Sequence, residues 1–341
     1  MTQAHSAAGA PHPEHRYLRL ADLQRFRQLQ FTPRRRVEGT YAGRHASPMR
    51  GRSVEFTDYR EYIPGDEMVD VDWKVYGRSD RLYVKLFEHQ TDLRLHLLID
   101  GSASMAYRGV DADPSATRSW VANLTRGPGR RDNRAPDTDP VRANPSKYDQ
   151  ACLLAAAIAY LTLQQQDRVG LSLARQGLAE AHRPVGAFTH LRRLLHAMEQ
   201  FQPGGEANLA QALHQAAEHT PRRGTLILFS DLMEDRAEIL NALTRFTHRG
   251  GEVIVFHVLH ADELHLPDGL EEAVFHDSET GGRMRLNVPD IRATYQQRLR
   301  EMIDGWRDAL RTRRMDYNLV STATPYHRAL EGYLVNRART R

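Results

Sequence analysis

Residues 93–104 read LRLHLLIDGSAS, and this stretch decides the fold. A short apolar run ends in Asp100, and Ser102 and Ser104 follow at alternate positions. Such a run, bounded by turn residues, predicts a buried strand. Asp100 then lies at the carboxyl end of that strand, which is where open α/β sheets carry their binding crevice.

Strand and helix patterns alternate along the chain after this stretch. The predicted strands are 169–173, 225–229, 252–259 and 316–321. The predicted helices are 148–165, 190–200, 208–219, 237–247, 289–313 and 325–339. Alternation at this spacing predicts a doubly wound α/β domain over residues 91–341, in which helices cover both faces of a parallel sheet.

The chain before residue 91 is organised differently. Residues 1–35 predict a flexible tail followed by an N-terminal helix, which ends before Pro33. Residues 36–90 contain short β-like runs punctuated by Gly and Pro, among them 68–73, and predict a small β-rich module. Within the α/β domain, residues 107–146 have few apolar side chains and predict a disordered insertion, with a role as a lid left open.

Composition limits the function classes. The 341 residues include 47 Lys and Arg and 43 Asp and Glu, a net charge of +4. Arginines account for nearly all the basic residues and are scattered, which favours a compositional bias over a nucleic-acid surface. The single cysteine, Cys152, excludes an internal disulfide and cysteine metal clusters. No apolar stretch is long enough to span a bilayer and no signal peptide is evident, so we expect a cytoplasmic protein.

A second predicted strand also ends in a carboxylate, because Ser230 and Asp231 follow the run 225–229. The carboxyl ends of parallel strands open on the same side of a sheet, so Asp100 and Asp231 can converge on one ion. Carboxylate and hydroxyl oxygens are ligands that suit Mg²⁺ or Mn²⁺. An ordinary role in turns or helix caps is the alternative interpretation.

Two patterns resemble known families. The Asp-x-Ser-x-Ser motif at 100–104, with a later Asp at a strand end, resembles the metal-ion-dependent adhesion site of von Willebrand factor A domains. Residues 51–66, GRSVEFTDYREYIPGD, and 71–74, VDWK, resemble the signature of the bacterial family 58 of domains of unknown function. The segments 166–171 and 326–330 also fit that family, and the resemblance extends over residues 36–335.

The resemblance implies a fold, a site and a partner. Members of the family combine the signature segment with a von Willebrand factor A-like, Rossmann-like domain and are often encoded beside MoxR-type AAA+ ATPases. The resemblance therefore implies a non-enzymatic adaptor that binds such an ATPase in protein assembly or maturation. It also implies an adhesion-type site for Mg²⁺ or Mn²⁺, formed by Asp100, Ser102, Ser104 and Asp231.

This chain departs from the A-domain pattern at one position. A domains usually complete the ion site with a Thr in a stretch that resembles Gly-Gly-x-Thr-Asp-Leu. Residues 204–209 here read GGEANL, so Ala207 takes the place of the Thr and offers no ligand oxygen. Glu206 or Asn208 are the candidate replacements, and ion binding is expected to be weak or lost.

Other candidate sites are weaker. A divalent-metal-dependent hydrolase that uses Asp100 and Asp231 is the alternative function, although the chain lacks nucleophile-elbow and phosphate-loop motifs. The spacing of His257, His260 and His265 is only loosely metal-like, and a structural role is favoured for them.

The β-rich module offers candidate partner-binding residues. Arg60, Asp66 and Trp73 lie in its signature segment. For Trp73 a place in the core is favoured over a role as an interface hot spot, because aromatic side chains beside short strands usually fill the core.

Overall fold

The structure is a computed structural model that describes residues 15–26, 29, 31, 54–63, 68, 71–89, 93–109, 139–206, 208–220, 222–267, 271–276 and 282–339. The chain divides into two compact units, with divisions after Arg34 and after Asp92. The segment before Arg34 belongs to the larger unit, together with the residues from Leu93 onward. The sequence pattern, by contrast, predicts residues 1–35 as a region separate from the α/β domain.

The described helices are α1 (Leu20–Phe26), α2 (Trp73–Ser79), α3 (Pro140–Ala143), α4 (Lys147–Gln164), α5 (Phe188–Gln200), α6 (Leu209–His219), α7 (Arg236–His248), α8 (Ala261–Leu264), α9 (Val288–Thr312) and α10 (Tyr326–Arg339). The described strands are β1 (Val54–Glu61), β2 (Tyr83–His89), β3 (Arg94–Asp100), β4 (Arg168–Ala174), β5 (Leu178–Val185), β6 (Thr225–Ser230), β7 (Glu252–Leu259), β8 (Glu272–His276), β9 (Arg283–Asn287) and β10 (Asp316–Ser321). Among the residues that the structure describes, no helix combines the length and the apolar character needed to span a bilayer.

The larger unit is built on a six-stranded sheet with the order β10-β7-β6-β3-β4-β5. Its neighbouring strands are parallel except for β5, which is antiparallel to β4. The central strands are apolar and almost wholly buried, as parallel strands covered on both faces must be. The expected doubly wound α/β fold is confirmed.

Two apolar cores lie on the two faces of this sheet. On one face α4, α5 and α10 pack together with the N-terminal segment, which contributes Tyr17, Phe26 and Phe31. On the other face α6, α7 and α9 cover the strands. The N-terminal segment is therefore part of the core of the domain, because its aromatic side chains complete one of the two layers.

The expectation of disorder over residues 107–146 is wrong at both ends of that segment. Arg108 forms an ion pair with Asp149 at 2.6 Å. In α3 the nearly buried guanidinium of Arg142 lies 2.8 Å from the carboxylate of Asp22, which joins this segment to α1. These ion pairs hold both ends of a segment with few apolar residues; the Arg142–Asp22 pair is nearly buried, whereas the Arg108 side chain is 36% exposed. Residues 110–138 lie outside the described residues.

The smaller unit consists of the antiparallel pair β1 and β2 and the short helix α2. The β-like run predicted over 68–73 is wrong at its carboxyl end, because Trp73 is the first residue of α2. The carboxylate of Asp72 accepts the backbone N–H groups of Lys74 and Val75 and so caps the helix. Trp73 is 55% exposed, which corrects its expected place in the core. Arg60 lies in β1, and Asp66 lies outside the described residues.

Candidate functional site

The carboxyl ends of β3 and β6 place the two candidate carboxylates at one edge of the sheet. These strands are parallel neighbours in a register that pairs Ile99 with Phe229. Asp100 ends β3, and Asp231 follows the last residue of β6. The convergence expected from the sequence follows from this register.

Asp100 is bound through both of its carboxylate oxygens. Its Oδ1 accepts the backbone N–H of Ser102 at 2.9 Å, and its Oδ2 accepts the hydroxyl of Ser230 at 2.7 Å. The hydroxyl oxygens of Ser102 and Ser104 lie 3.1 Å apart. Burial, together with the nearby charge of Asp231, raises the pKa of Asp100 to about 6.

Asp231 is paired with a buried lysine. The Nζ of Lys147 lies 2.8 Å from Oδ2 of Asp231 and 2.6 Å from Oε1 of Glu263. The Lys147 side chain is 1% exposed. Burial lowers the pKa of an ammonium group, but the two carboxylates outweigh that effect and raise the pKa of Lys147 above its ordinary value. The lysine is therefore charged inside the protein.

The surroundings fix this ion cluster in place. The backbone N–H of Lys147 donates to the carbonyl of Tyr107 at 3.2 Å. The second carboxylate oxygen of Glu263 accepts the backbone N–H of His260 at 2.7 Å. Tyr295 donates its hydroxyl to the backbone carbonyl of Glu263 at 2.7 Å. Bonds to neighbouring elements thus anchor the backbone at Lys147 and Glu263, and the N-cap of α8 holds the Glu263 carboxylate.

The histidines expected to be structural have separate roles in the fold. His257 lies between the backbone carbonyl of Asp231 at 2.9 Å and the hydroxyl of Tyr317 at 2.7 Å, and burial lowers its pKa to about 4. The imidazole of His260 caps the short helix α8, whereas His265 is exposed. Within the described ranges, no three or more His, Cys, Asp or Glu side chains form a group that could hold a metal ion.

The glycine loop at 204–205 lies beside the Asp-x-Ser-x-Ser loop. Gly204 donates its N–H to the carbonyl of Gly101 at 2.9 Å, and Ala103 donates to the carbonyl of Gly205 at 3.1 Å. Glu206 and Asn208, the candidate replacements for the Thr, are both exposed. The side chain of Asn208 caps α6. Ala207 lies outside the described residues.

The arrangement of these side chains does not favour a divalent ion. Mg²⁺ takes about six oxygen ligands in octahedral geometry, several of which are usually waters, and each protein ligand must offer it a free lone pair. Asp231 already holds an ammonium group, and both oxygens of Asp100 accept hydrogen bonds from the protein. The amide oxygen of Asn208 accepts the backbone N–H of Gln211 at 2.9 Å. Binding of Mg²⁺ or Mn²⁺ by Asp100, Ser102, Ser104 and Asp231 stays a prediction from the sequence.

Sequence reasoning missed three members of this site: Ser230, Lys147 and Glu263. A signal existed for Lys147, because it is one of only three lysines in an arginine-rich chain and follows Ser146, the N-cap of α4. Glu263 lies in a helix of four residues, too short to produce a periodic pattern. No local feature of the sequence could have related it to Asp231.

Comparisons with known proteins place the chain among relatives of unknown function. A family model described as "Protein of unknown function DUF58" matches residues 58–125 and 137–303. Uncharacterized proteins of Mycobacterium bovis and Mycobacterium tuberculosis are each 24% identical to it over 259 residues, which are 75% of this chain and 70% of theirs.

Two of the solved structures that are similar to this chain are distant matches. One is the conserved hypothetical protein BatB from Bacteroides thetaiotaomicron, which is 14% identical with a TM-score of 0.42 and covers 72% of this chain and 99% of its own. Another is the VWA domain of SpRpn10, which is 13% identical with a TM-score of 0.34 and covers 72% of this chain and 95% of its own.

Proposed function

Because the chain belongs to the DUF58 family of proteins of unknown function, we propose that it is a non-enzymatic interaction protein that docks a partner at the carboxyl edge of its central sheet. The observation that carries this proposal is the loop after β6. Leu232 is buried with a φ of 53°, a strained conformation for a residue that is not glycine. Met233, which follows it, is 61% exposed.

The strained loop is held by the buried polar groups of the edge. The backbone N–H of Leu232 donates to the hydroxyl of Ser230 at 2.9 Å, and that hydroxyl donates to Asp100. On the other side, the carboxylate of Glu234 accepts the backbone N–H of Leu209 at 2.8 Å. A loop held on both sides fixes the backbone at Met233, so little backbone entropy is lost when a partner binds. Methionine is an adaptable contact residue at such surfaces.

The proposed partner is a MoxR-type AAA+ ATPase, and the proposed process is the assembly or maturation of other proteins. This choice rests on the family resemblance, since members are often encoded beside such ATPases. A cytoplasmic location is part of the proposal, because the partner needs ATP. The smaller unit offers a second candidate surface: exposed Trp73 contacts Tyr76 edge-to-face at 6.1 Å, and aromatic side chains of this kind are common interface hot spots.

The alternative function, a metal-dependent hydrolase, is less well supported. Its substrate would have to reach Asp100 and Asp231, which are 3% and 2% exposed. Carboxylates that hold a catalytic metal must leave that metal open to the substrate and to the water that it activates. The burial of both groups supports a role in holding the edge together.

The test is a binding measurement with the MoxR-type ATPase encoded in the same genome. We expect Met233→Asp to weaken binding by at least about tenfold, the effect of losing one hot-spot side chain. Met284→Asp is the matched control, because Met284 is 60% exposed on the β8–β9 hairpin. Loss of binding in Trp73→Ala, with Met233→Asp unaffected, would move the docking surface to the smaller unit. Turnover of phosphoesters by the purified protein with metal would favour the hydrolase.

A further inference from the structure

We infer that the ammonium group of Lys147 supplies the positive charge at the carboxyl edge in place of a divalent ion, so that this edge binds no Mg²⁺ or Mn²⁺. The inference concerns the edge proposed above for docking, but it does not depend on any partner binding there. Its basis is the pair of contacts from Nζ, at 2.8 Å to Asp231 and 2.6 Å to Glu263.

The charges of the cluster leave little reason for a second cation. A carboxylate buried like that of Asp231 is stable only when a cation or several hydrogen bonds compensate for its lost hydration. Lys147 provides that compensation from within the chain. A divalent ion that took Asp231 as a ligand would meet the ammonium at close range, where like charges in a poorly solvated site repel strongly. The ion could bind only if the lysine were displaced.

The position of Lys147 in its helix argues that the lysine is held there by this pairing. It is the first residue of α4, next to the N-cap Ser146. The amino end of a helix carries partial positive charge, so a cation at this position is unfavourable, and burial adds to the cost. The two carboxylates must offset both effects. Local helix propensity therefore does not explain a buried lysine at this position.

Lysine is also better suited than arginine to take the place of a metal ion. The chain has 47 basic residues, of which only Lys74, Lys85 and Lys147 are lysines. An ammonium group is a compact charge with three donors that can be directed to separate oxygens, whereas the guanidinium of arginine is planar and bidentate. The sequence carries a matching change, because Ala207 stands where the A-domain pattern has a Thr ligand. One ligand of the metal is absent and a cation of the protein is present.

The test is titration with Mn²⁺, followed by calorimetry and by the electron paramagnetic resonance of free Mn²⁺. We expect no stoichiometric binding to the wild-type protein at millimolar Mn²⁺, and the same melting temperature in Mg²⁺ and in EDTA. Lys147→Met should bind one Mn²⁺ at least about tenfold more tightly, since the competing charge is gone. Its lowered melting temperature should rise when Mn²⁺ is added.

Two controls accompany this experiment. Lys74→Met makes the same substitution at an exposed lysine of α2 and should not bind Mn²⁺. Lys147→Met combined with Asp231→Asn removes the two charges of the fully buried pair and leaves only the partly exposed Glu263 without its partner, so it should recover part of the stability without gaining Mn²⁺ binding.

Two results would overturn the inference. The first is stoichiometric Mn²⁺ binding by the wild-type protein that is lost in Asp231→Asn. The second is a Lys147→Met protein that folds and binds no Mn²⁺, because the ammonium would then not be what excludes the ion. If Lys147→Met does not fold, the wild-type and Asp231→Asn titrations decide, and the absence of binding by both proteins supports the inference.

Discussion

Buried cations clamped by two carboxylates occur at both edges of the central sheet. At the carboxyl edge the cation is Lys147. At the amino edge it is Arg337, whose guanidinium lies 2.7 Å from Glu252 and 2.9 Å from Asp316, the first residues of β7 and β10. The side chains of Lys147 and Arg337 are 1% and 3% exposed. Each cluster joins one cation to two carboxylates, and the cations are almost equally buried, but Glu263 is 25% exposed whereas Glu252 and Asp316 are each 11% exposed.

The clusters differ in what surrounds the cation. The guanidinium of Arg337 lies 5.2 Å from the ring centre of Phe31 and donates to the hydroxyl of Tyr333 in its own helix. Stacking therefore joins α10 to the N-terminal segment, and the planar fork to Glu252 and Asp316 joins α10 to the sheet. The ammonium of Lys147 lies at the edge that also holds Asp100 and the paired hydroxyls of Ser102 and Ser104. The ion pairs at the amino edge connect α10 to β7 and β10. The ion pairs at the carboxyl edge set the charge next to the oxygens of Asp100, Ser102 and Ser104. Similar ion pairs can thus serve packing at one edge and, under the proposed function, a docking site at the other.

Removing either cation should have the largest effect. Lys147→Met and Arg337→Met each leave buried carboxylates without a partner, and we expect each to lower the free energy of unfolding by about 3–5 kcal/mol. Urea denaturation measures both losses. Repeating it in Mn²⁺ separates the two edges, because Mn²⁺ should restore part of the loss in Lys147→Met and none in Arg337→Met. An equal response of the two variants to Mn²⁺ would remove the distinction between the clusters.

The pH dependence of the free energy of unfolding should distinguish His257, at the edge of the sheet, from His96, in its middle. Burial lowers the pKa of His257 to about 4 and that of His96, which bonds Ser172 in the middle of the sheet, to about 3. The unfolded chain binds these protons near pH 6.5, so stability falls as the pH drops below 6.5. By pH 5 each histidine should remove about 2 kcal/mol, since a pH unit is worth about 1.4 kcal/mol.

The effects of His257 and His96 on the free energy of unfolding should differ only in stronger acid, below about pH 4. The loss from His257 ends as the pH passes about 4, because the charge of Asp231 partly offsets its burial, whereas the loss from His96 continues to about 3. Unfolding free energies of His257→Gln and His96→Gln between pH 7 and 3 test this. A variant that keeps the wild-type slope between pH 6.5 and 5 would show that its histidine is protonated in the folded protein.

The central sheet and its helices could be predicted from the sequence because they follow local periodic patterns. Strand 252–259 and the helix near 289–313 are observed with nearly the predicted bounds. The antiparallel edge strand β5 was missed because it reads LAEAHRPV, in which polar and charged residues break up any apolar run. The β8–β9 hairpin was missed for the same reason, since exposed strands carry little hydrophobic signal.

Only those residues of the candidate site that directly follow a predicted strand could be identified from the sequence. Asp100 and Asp231 follow apolar runs, and the topology brings such positions to one edge. The pairing of Lys147 with Asp231 spans 84 residues of sequence and depends on where α4 begins relative to the sheet. No periodicity or spacing encodes a contact of that kind. The sequence therefore identified Asp100 and Asp231 but missed the third carboxylate, Glu263, and the counter-charge of Lys147.

A smaller effect is expected at the strand end that supports the docking loop. The hydroxyl of Ser230 donates to Asp100 and accepts the N–H of Leu232, so Ser230→Ala leaves two buried groups without a partner. We expect a loss of about 1.5 kcal/mol in the free energy of unfolding. Ser321→Ala, at the end of β10, is the matched control, because its hydroxyl accepts only a 3.2 Å bond from the backbone N–H of Ala323. Equal losses in the two variants would contradict a supporting role for Ser230.

The smallest expected effect concerns Asn208, which the sequence offered as a metal ligand and the structure places as the N-cap of α6. Its counterpart is Asp235, the exposed N-cap of α7, which accepts the N–H groups of Ala237 and Glu238. Loss of an N-cap costs about 1 kcal/mol, so Asn208→Ala and Asp235→Ala should be destabilised by similar amounts. The decisive comparison is urea denaturation in Mg²⁺ and in EDTA. A cap acts through the backbone and is indifferent to the metal, so the loss in Asn208→Ala should be the same in both solutions. A loss that is larger in Mg²⁺ would show that Asn208 is a metal ligand and that this edge binds the ion.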